Sequence, residues 1–167
     1  MSCHRIQQGV LEVNLIHKLI MLLNREIPTE ILVKRGLNVG KNFNRQQGCF
    51  IDPSHCFLIT IGNNVTMSIR VTLLAHDAST KKLLGYTKIG QIRIDDNVFI
   101  GANTTILPNV KIGENSIIGS GSLVTHDIPD NSVAVGVPAK VICNTEEFKQ
   151  KNYMIYIIKL KISFLKM

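Results

Sequence analysis

The sequence predicts an all-β solenoid, a parallel β-helix whose coils are short flat strands joined by turns. Three observations carry this. Residues 94–129 repeat with a period of six, which fits neither an α-helix at 3.6 nor an alternating strand at 2. The same period returns in weaker form upstream, around Ile61 and Met67. Aromatic residues make up only 5% of the chain and Trp is absent, whereas Ile and Val are abundant, a mix that favours strands.

The repeat itself dictates the geometry. Position one is held by Ile94, Ile100, Ile106, Ile112, Ile118 and Val124. A large branched side chain recurring there must point inward and stack on its equivalent in the next coil. Position five holds Val98, Thr104, Val110, Ser116, Ser122 and Ile128. It also faces inward but is usually smaller, as a site near a corner requires. Position two is often Gly, as at Gly101, Gly113 and Gly119, which suits a turn with unusual dihedrals or a close approach of backbones.

Along the chain, residues 1–36 read as an N-terminal helical cap. Leu11, Leu15, Leu19 and Leu22 fall at helical spacing, and a second short helix is predicted from Pro28 to Gly36. Such elements close the open edge of the first coil. Residues 37–143 form the β-helix domain. Val39-Gly40 and Ile51-Asp52 are degenerate repeats, and clearer ones begin at Ile61, Met67 and Leu73. The interval from Leu73 to Ile94 is not a multiple of six, which places an inserted loop at about 77–90. Residues 144–167 give a C-terminal helix, from Glu146 to Lys151, and a tail. The tail is apolar from Tyr153, with Lys159, Lys161 and Lys166 between, and reads as a packing or interaction segment; a strand, a membrane-surface segment or disorder are the alternatives.

Composition narrows the function. The formal net charge is +7, which admits a polyanionic ligand such as a phosphate-bearing cofactor. No long basic run precedes residue 149, so no nucleic-acid partner is expected. Cys3, Cys49, Cys56 and Cys143 form no C-x-x-C pair and are expected as reduced thiols. Neither a signal peptide nor a transmembrane segment is predicted, and the expected location is cytoplasmic. Of the five histidines, His4 and His17 fall in the cap, His126 on a solenoid turn, His55 on an early coil and His76 where the repeat breaks off.

The hexads end in Asp127-Ile128-Pro129 and then Gly136-Val137-Pro138-Ala139-Lys140-Val141-Ile142. With these residues the chain resembles the hexapeptide-repeat acetyltransferases, nearest to the branch that acetylates galactosides, maltose and surface polysaccharides. The resemblance covers about residues 37–143. It implies a left-handed parallel β-helix with three hexads per coil, and a homotrimer with active sites between subunits. It also implies acetyl-CoA as co-substrate, a sugar or glycan hydroxyl or amine as acceptor, and no metal. In such a coil Gly101 lies over Gly119 and Ala102 over Ser120, and these small residues would line a groove for an extended cofactor arm.

Carried onto this sequence, the family's catalytic histidine falls at His76, as general base. An imidazole with its ordinary pKa near 6.5 accepts a proton at neutral pH. The oxyanion donor falls on the backbone N–H of Ala102. Cofactor contacts fall at Ala102, Gly119, Ser120, Thr125 and Lys140, the last toward a phosphate. A further basic cofactor contact of the galactoside branch is replaced by Cys143. The acceptor site departs further. Pro53 stands where an Asn would align, and the connection from Cys56 to Ile61 is too short to supply the expected Asp. Asp52, Ser54 and His55, with Tyr86 from the insertion, are the candidate acceptor contacts, and Lys81, Lys82 and Lys88 could close over them. Ala75 to Thr80 looks more like the enzymes of surface-polysaccharide synthesis.

Two other enzyme readings use the same fold. A γ-carbonic-anhydrase-like enzyme needs three histidines converging on zinc, whereas only His55 and His76 lie near the middle coils. A serine O-acetyltransferase-like enzyme usually carries a larger helical N-terminal domain than these 36 residues provide. A non-catalytic trimeric scaffold is disfavoured by His76 at the break and by Gly136 to Lys140.

Overall fold

The computed structural model describes residues 26–165. The helix expected over 10–23, together with Cys3, His4 and His17, lies outside the described residues.

Short parallel strands form three faces of a triangular solenoid. The first face stacks Asn38–Val39, Ile59–Ile61, Ile92–Ile94 and Val110–Ile112. The second stacks Asn44–Arg45, Thr66–Met67, Phe99–Ile100, Ile117–Ile118 and Ser132–Val135, and the third Phe50–Ile51, Thr72–Leu73, Thr105–Ile106 and Leu123–Val124. All these pairs are parallel. One antiparallel strand, Lys140–Asn144, closes the second face against Ser132–Val135.

The interior is the stack that the repeat predicts. Ile94, Ile100, Ile106, Ile112, Ile118 and Val124 are all buried, as are Val98, Thr104, Val110, Ser116, Ser122 and Ile128. Burying each Ile contributes roughly 1.5–3 kcal/mol. The buried hydroxyls are satisfied: Ser122 Oγ donates to Gly119 O at 2.6 Å, Ser116 Oγ to Pro129 O at 2.8 Å, and Thr104 Oγ1 to Gly119 O at 3.2 Å. Small polar side chains at position five thus bond the turn of the same or the next coil.

The glycines of position two serve close approach rather than unusual dihedrals. A Cβ on Gly101 would sit 2.5 Å from Ser120 N, and one on Gly113 2.4 Å from Asp130 N. Left-handed backbone falls instead at position four. There Asn42, Asn64, Asn97, Asn115 and Asn131 all have φ between 55° and 58°. Asn tolerates this region better than any other residue with a Cβ except Asp. These five share one corner, and their amides form a ladder. Asn42 donates to Asn64 and Asn64 to Asn97 at 2.9 Å, then Asn97 to Asn115 and Asn115 to Asn131 at 3.1 Å.

The register departs from six in three places. Val39 pairs with Ile61, so the first coil holds four residues more than eighteen. Ile61 pairs with Ile94, so the second coil holds fifteen more. Ile112 bridges Ile128, which makes the last full coil two residues short. The repeat therefore slips after Val124. Ile128 does not occupy position five, as the unbroken period predicts, but position one of the next coil.

Two helices flank the solenoid. Helix α1, Thr29–Lys34, ends before Gly36, whose φ is 103°, and buries Leu32 under the first coil. The fifteen surplus residues of the second coil contain a four-residue helix α2, Lys81–Leu84, between the antiparallel strands His76–Asp77 and Lys88–Ile89. Helix α3, Thr145–Leu165, continues well past Lys151, so the stretch from Tyr153 is helical rather than a strand or an irregular tail. No helix among the described residues is long and apolar enough to cross a membrane. Cys49, Cys56 and Cys143 are free thiols.

Replacing Asn97 by Ala removes two rungs of the ladder and leaves an alanine in left-handed backbone. We expect a loss of about 1–3 kcal/mol in denaturant unfolding. Asn97→Gly, which relieves the backbone but not the ladder, should cost less.

Candidate active site

The surplus residues of the first and second coils leave the solenoid at the same corner, directly after the third face. Ile51 pairs with Leu73, so Asp52 to His55 lie beside the segment that carries His76. Residues twenty-four apart in sequence are brought together in this way. His76 Nδ1 lies 2.5 Å from Asp52 Oδ2. His55 Nδ1 lies 3.4 Å from the same oxygen, and the two imidazole rings are 4.9 Å apart.

Asp52 is fully buried, and both of its oxygens are engaged. Oδ1 accepts from the backbone N–H of Ser54 at 3.1 Å and of His55 at 3.3 Å. Burial alone pushes the carboxyl up. The His76 hydrogen bond, the Ser54 N–H and the nearby His55 outweigh it and hold Asp52 below the usual carboxylate range. Asp52 is therefore a carboxylate at neutral pH. It accepts the Nδ1 proton of His76 and leaves Nε2 as the basic nitrogen. Among the described residues Nε2 has no hydrogen-bond partner. Asp52, an expected acceptor contact, has no exposed surface, and both of its oxygens are occupied within the chain.

His76 is held by the hairpin that opens the excursion. His76 pairs with Ile89 and Asp77 with Lys88, and Gly90 N–H closes the pair onto Ala75 O at 2.9 Å. Asp77 caps the next turn by accepting from Ser79 N–H at 2.9 Å. A cavity of about 290 Å³ opens here, lined by Leu74, His76, Asp77, Lys88, Leu107, Pro108 and Thr125. Its polar members are an imidazole, a cation, a carboxylate and a hydroxyl.

The remaining sequence candidates fall elsewhere. Thr125 alone of the expected cofactor residues shares the cavity, and its hydroxyl also pairs with His126 Nδ1 at 2.8 Å. Ala102, Gly119 and Ser120 stand at the corner between the second and third faces, one strand away from His76. The pairing of Ile100 with Ile118 stacks Gly101 over Gly119 and Ala102 over Ser120, as expected. The size of Gly101, however, is explained by the backbone of Ser120 pressed against it. Lys140 is exposed, on the closing strand opposite Val135. Ser54 is exposed, and its described contact is the backbone bond to Asp52. Tyr86 is 62% exposed and outside the cavity; its carbonyl accepts from Thr80 Oγ1. Lys81 and Lys82 are exposed on α2, and of the loop lysines Lys88 alone lines the cavity.

Comparison with known proteins bears on what such a site is. Residues 91–126 match the family model described as bacterial transferase hexapeptide (six repeats). Galactoside O-acetyltransferase of Escherichia coli is 37% identical over 133 residues, 77% of this chain and 63% of that protein. The crystal structure of a maltose O-acetyltransferase from Clostridium difficile superposes with a TM-score of 0.57 at 40% identity, covering 64% of this chain and 57% of that one. The serine acetyltransferase of Neisseria gonorrhoeae gives 0.54 at 32% identity, over 65% of this chain and 38% of that one. The chain spans 52–63% of the length of the first curated relatives it matches. Its coils and their repeat are those of a left-handed parallel β-helix, and residues 91–126 carry the hexapeptide repeat. The proteins it resembles are acetyltransferases, the galactoside and maltose O-acetyltransferases among them.

The geometry predicts the tautomer. In ¹⁵N-histidine NMR near neutral pH, His76 should carry its proton on Nδ1, and Asp52→Asn should abolish that preference. The folded pKa of Asp52 is depressed, so its stabilising contribution is complete above the unfolded value of about 3.9 and is lost as pH falls through the lower folded value. Acid unfolding of Asp52→Asn should therefore show less loss of stability below pH ~4 than that of the wild type.

Proposed function

We propose that this protein transfers an acetyl group from acetyl-CoA to a hydroxyl, or an amine, of a sugar in the synthesis of a surface polysaccharide or related glycan. The observation that carries the reading is the buried Asp52 carboxylate on His76 Nδ1 at 2.5 Å, beside an open cavity. A sugar hydroxyl is far too weak an acid to ionise unaided at pH 7, so a positioned base has to take its proton as the new bond forms. His76 Nε2 takes that proton while the acceptor oxygen attacks the thioester carbon. The tetrahedral oxyanion collapses, the C–S bond breaks, and the imidazolium returns the proton to the departing thiolate. Asp52 stabilises the imidazolium between the two transfers.

The oxyanion is assigned to Ala102 N–H, and the cofactor arm to the Gly119–Ser120 corner and Thr125, with Lys140 toward a phosphate. Ala102 and His76 occupy different corners of one chain. A site that uses both is therefore best built across two chains, which supports a homotrimer with active sites between subunits. Phe50 and Phe99, each 45% exposed on flat faces, are the side chains such contacts would bury. His55 is assigned to the acceptor, with Ser54 and Tyr86 further out. The absence of a resident metal for turnover and a cytoplasmic setting belong to the same reading. The names of the galactoside and maltose relatives support a sugar acceptor over serine.

Thiol release from acetyl-CoA with a panel of sugars and serine tests the reading. Sugar-dependent release supports it, and serine as the sole acceptor overturns the acceptor class. His76→Ala should lower kcat by roughly 10²–10⁴-fold while acetyl-CoA still binds; retention of more than about a tenth of the wild-type kcat removes His76 as base. Asp52→Asn should lower kcat by about 10–100-fold. The wild-type rate should fall toward acid pH, as general-base catalysis requires. His55→Ala should raise the acceptor KM more than it lowers kcat.

Lys140→Ala should raise the KM for acetyl-CoA and leave kcat nearly intact, because a phosphate contact remote from the thioester holds ground and transition states alike. An unchanged KM would show that Lys140 points elsewhere. Light scattering that shows a stable monomer at micromolar concentration would count against the two-chain site.

A further inference from the structure

Asp52 serves two imidazoles, and a general base needs only one. His76 Nδ1 and His55 Nδ1 face the same oxygen, Asp52 Oδ2, at 2.5 and 3.4 Å. The three donor atoms lie within 4.8 Å of one another. His55 Nδ1 is shut off from solvent yet makes no hydrogen bond among the described residues. A buried ring nitrogen without a protein partner beside a carboxylate can serve as a ligand to a cation.

The chemistry of the donors selects the ion. Two imidazole nitrogens and one carboxylate oxygen suit zinc or a similar borderline divalent ion, and three protein ligands leave a fourth position for water. Tetrahedral bonds of about 2.0–2.1 Å set neighbouring ligand atoms about 3.3 Å apart. The Asp52–His55 separation of 3.4 Å already matches. The Asp52–His76 pair would have to open by about 0.8 Å, a side-chain adjustment for a ring that is 34% exposed.

The geometry points to Asp52, His55 and His76 as a binding site for a zinc-like divalent cation that switches off the base. The binding stands on these three side chains alone, whereas the inhibition rests on the functional reading above. The two states exclude each other by tautomer. With Nδ1–H donated to Asp52, the Nε2 lone pair is free to accept a proton. With the ion on Nδ1, the neutral ring carries its proton on Nε2, which then donates and cannot accept. His76 is either a base or a ligand.

The test uses the full, untagged chain stripped with a chelator and titrated with zinc chloride against a chromophoric zinc indicator. We expect one ion per chain. His55→Ala, His55→Gln and Asp52→Asn should each bind on the order of tenfold more weakly or worse. His126→Ala, which removes an exposed histidine outside the cluster, should bind as the wild type does. Cobalt(II) in place of zinc should show the visible absorption of a four-coordinate site, lost in His55→Gln. Wild-type affinity equal to that of both His55 variants, or no cobalt band, overturns the site. Acetyl transfer measured in chelator keeps the two readings apart. Transfer without zinc binding sinks the metal site alone, and zinc binding without transfer sinks the base alone. With both intact, zinc should stop transfer and chelator should restore it.

Discussion

Every coil rests on the one below through main-chain hydrogen bonds, and the stack survives only if equivalent residues fall at equivalent places. That register is the constraint on which the molecule depends. It requires a branched apolar side chain at position one, a small or short one at position five, and a turn that brings the chain round by a fixed angle. Gly101 and Gly113 are small because the next coil's backbone touches them. The asparagines at the first corner hold left-handed backbone and bond one another in a ladder that runs the length of the solenoid. A residue added to a strand would throw every later side chain onto the wrong face. Surplus residues therefore leave only at corners.

That rule is what builds the site. The four extra residues of the first coil and the fifteen of the second both leave after the third face, so two otherwise unrelated loops are stacked. The first brings a carboxylate with no exposed surface, already bonded to two backbone amides. The second brings an imidazole to its remaining oxygen. Asp52 carries its charge because the burial cost is outweighed by these contacts. The same economy makes the corner sensitive, since a lone buried carboxylate attracts any cation that reaches it, a protonated imidazole or a metal ion.

The solenoid also separates functions along the chain. The corner that holds His76 faces a cavity shared with Thr125, whereas Ala102 and Ser120 line another corner. One rigid triangular rod thus presents different chemistry on different edges. Fold and repeat are shared with proteins named as acetyltransferases of more than one acceptor class, so what distinguishes one such protein from another lies in what the corners carry and not in the coils.

The period of six, the identities at positions one and five, and the break after Leu73 were all legible in the sequence, because coil stacking imposes them residue by residue. His76 was singled out by its place at that break and by the family motif around it. The sequence did not disclose the two-residue slip after Val124, since Ile128 fits position five of one coil and position one of the next equally well by type. Nor did it disclose the role of position four, although Asn97, Asn103, Asn109 and Asn115 recur there as a visible signal. The contact between Asp52 and His76 was not legible, because residues twenty-four apart carry no sequence mark of adjacency. Which corner an insertion leaves from depends on the count of residues in every preceding coil, and the partner of a side chain depends on what the neighbouring coil does at that corner. Those are properties of the stack, which is why the sequence by itself determined the coils and only the tertiary structure decided that Asp52 belongs to His76.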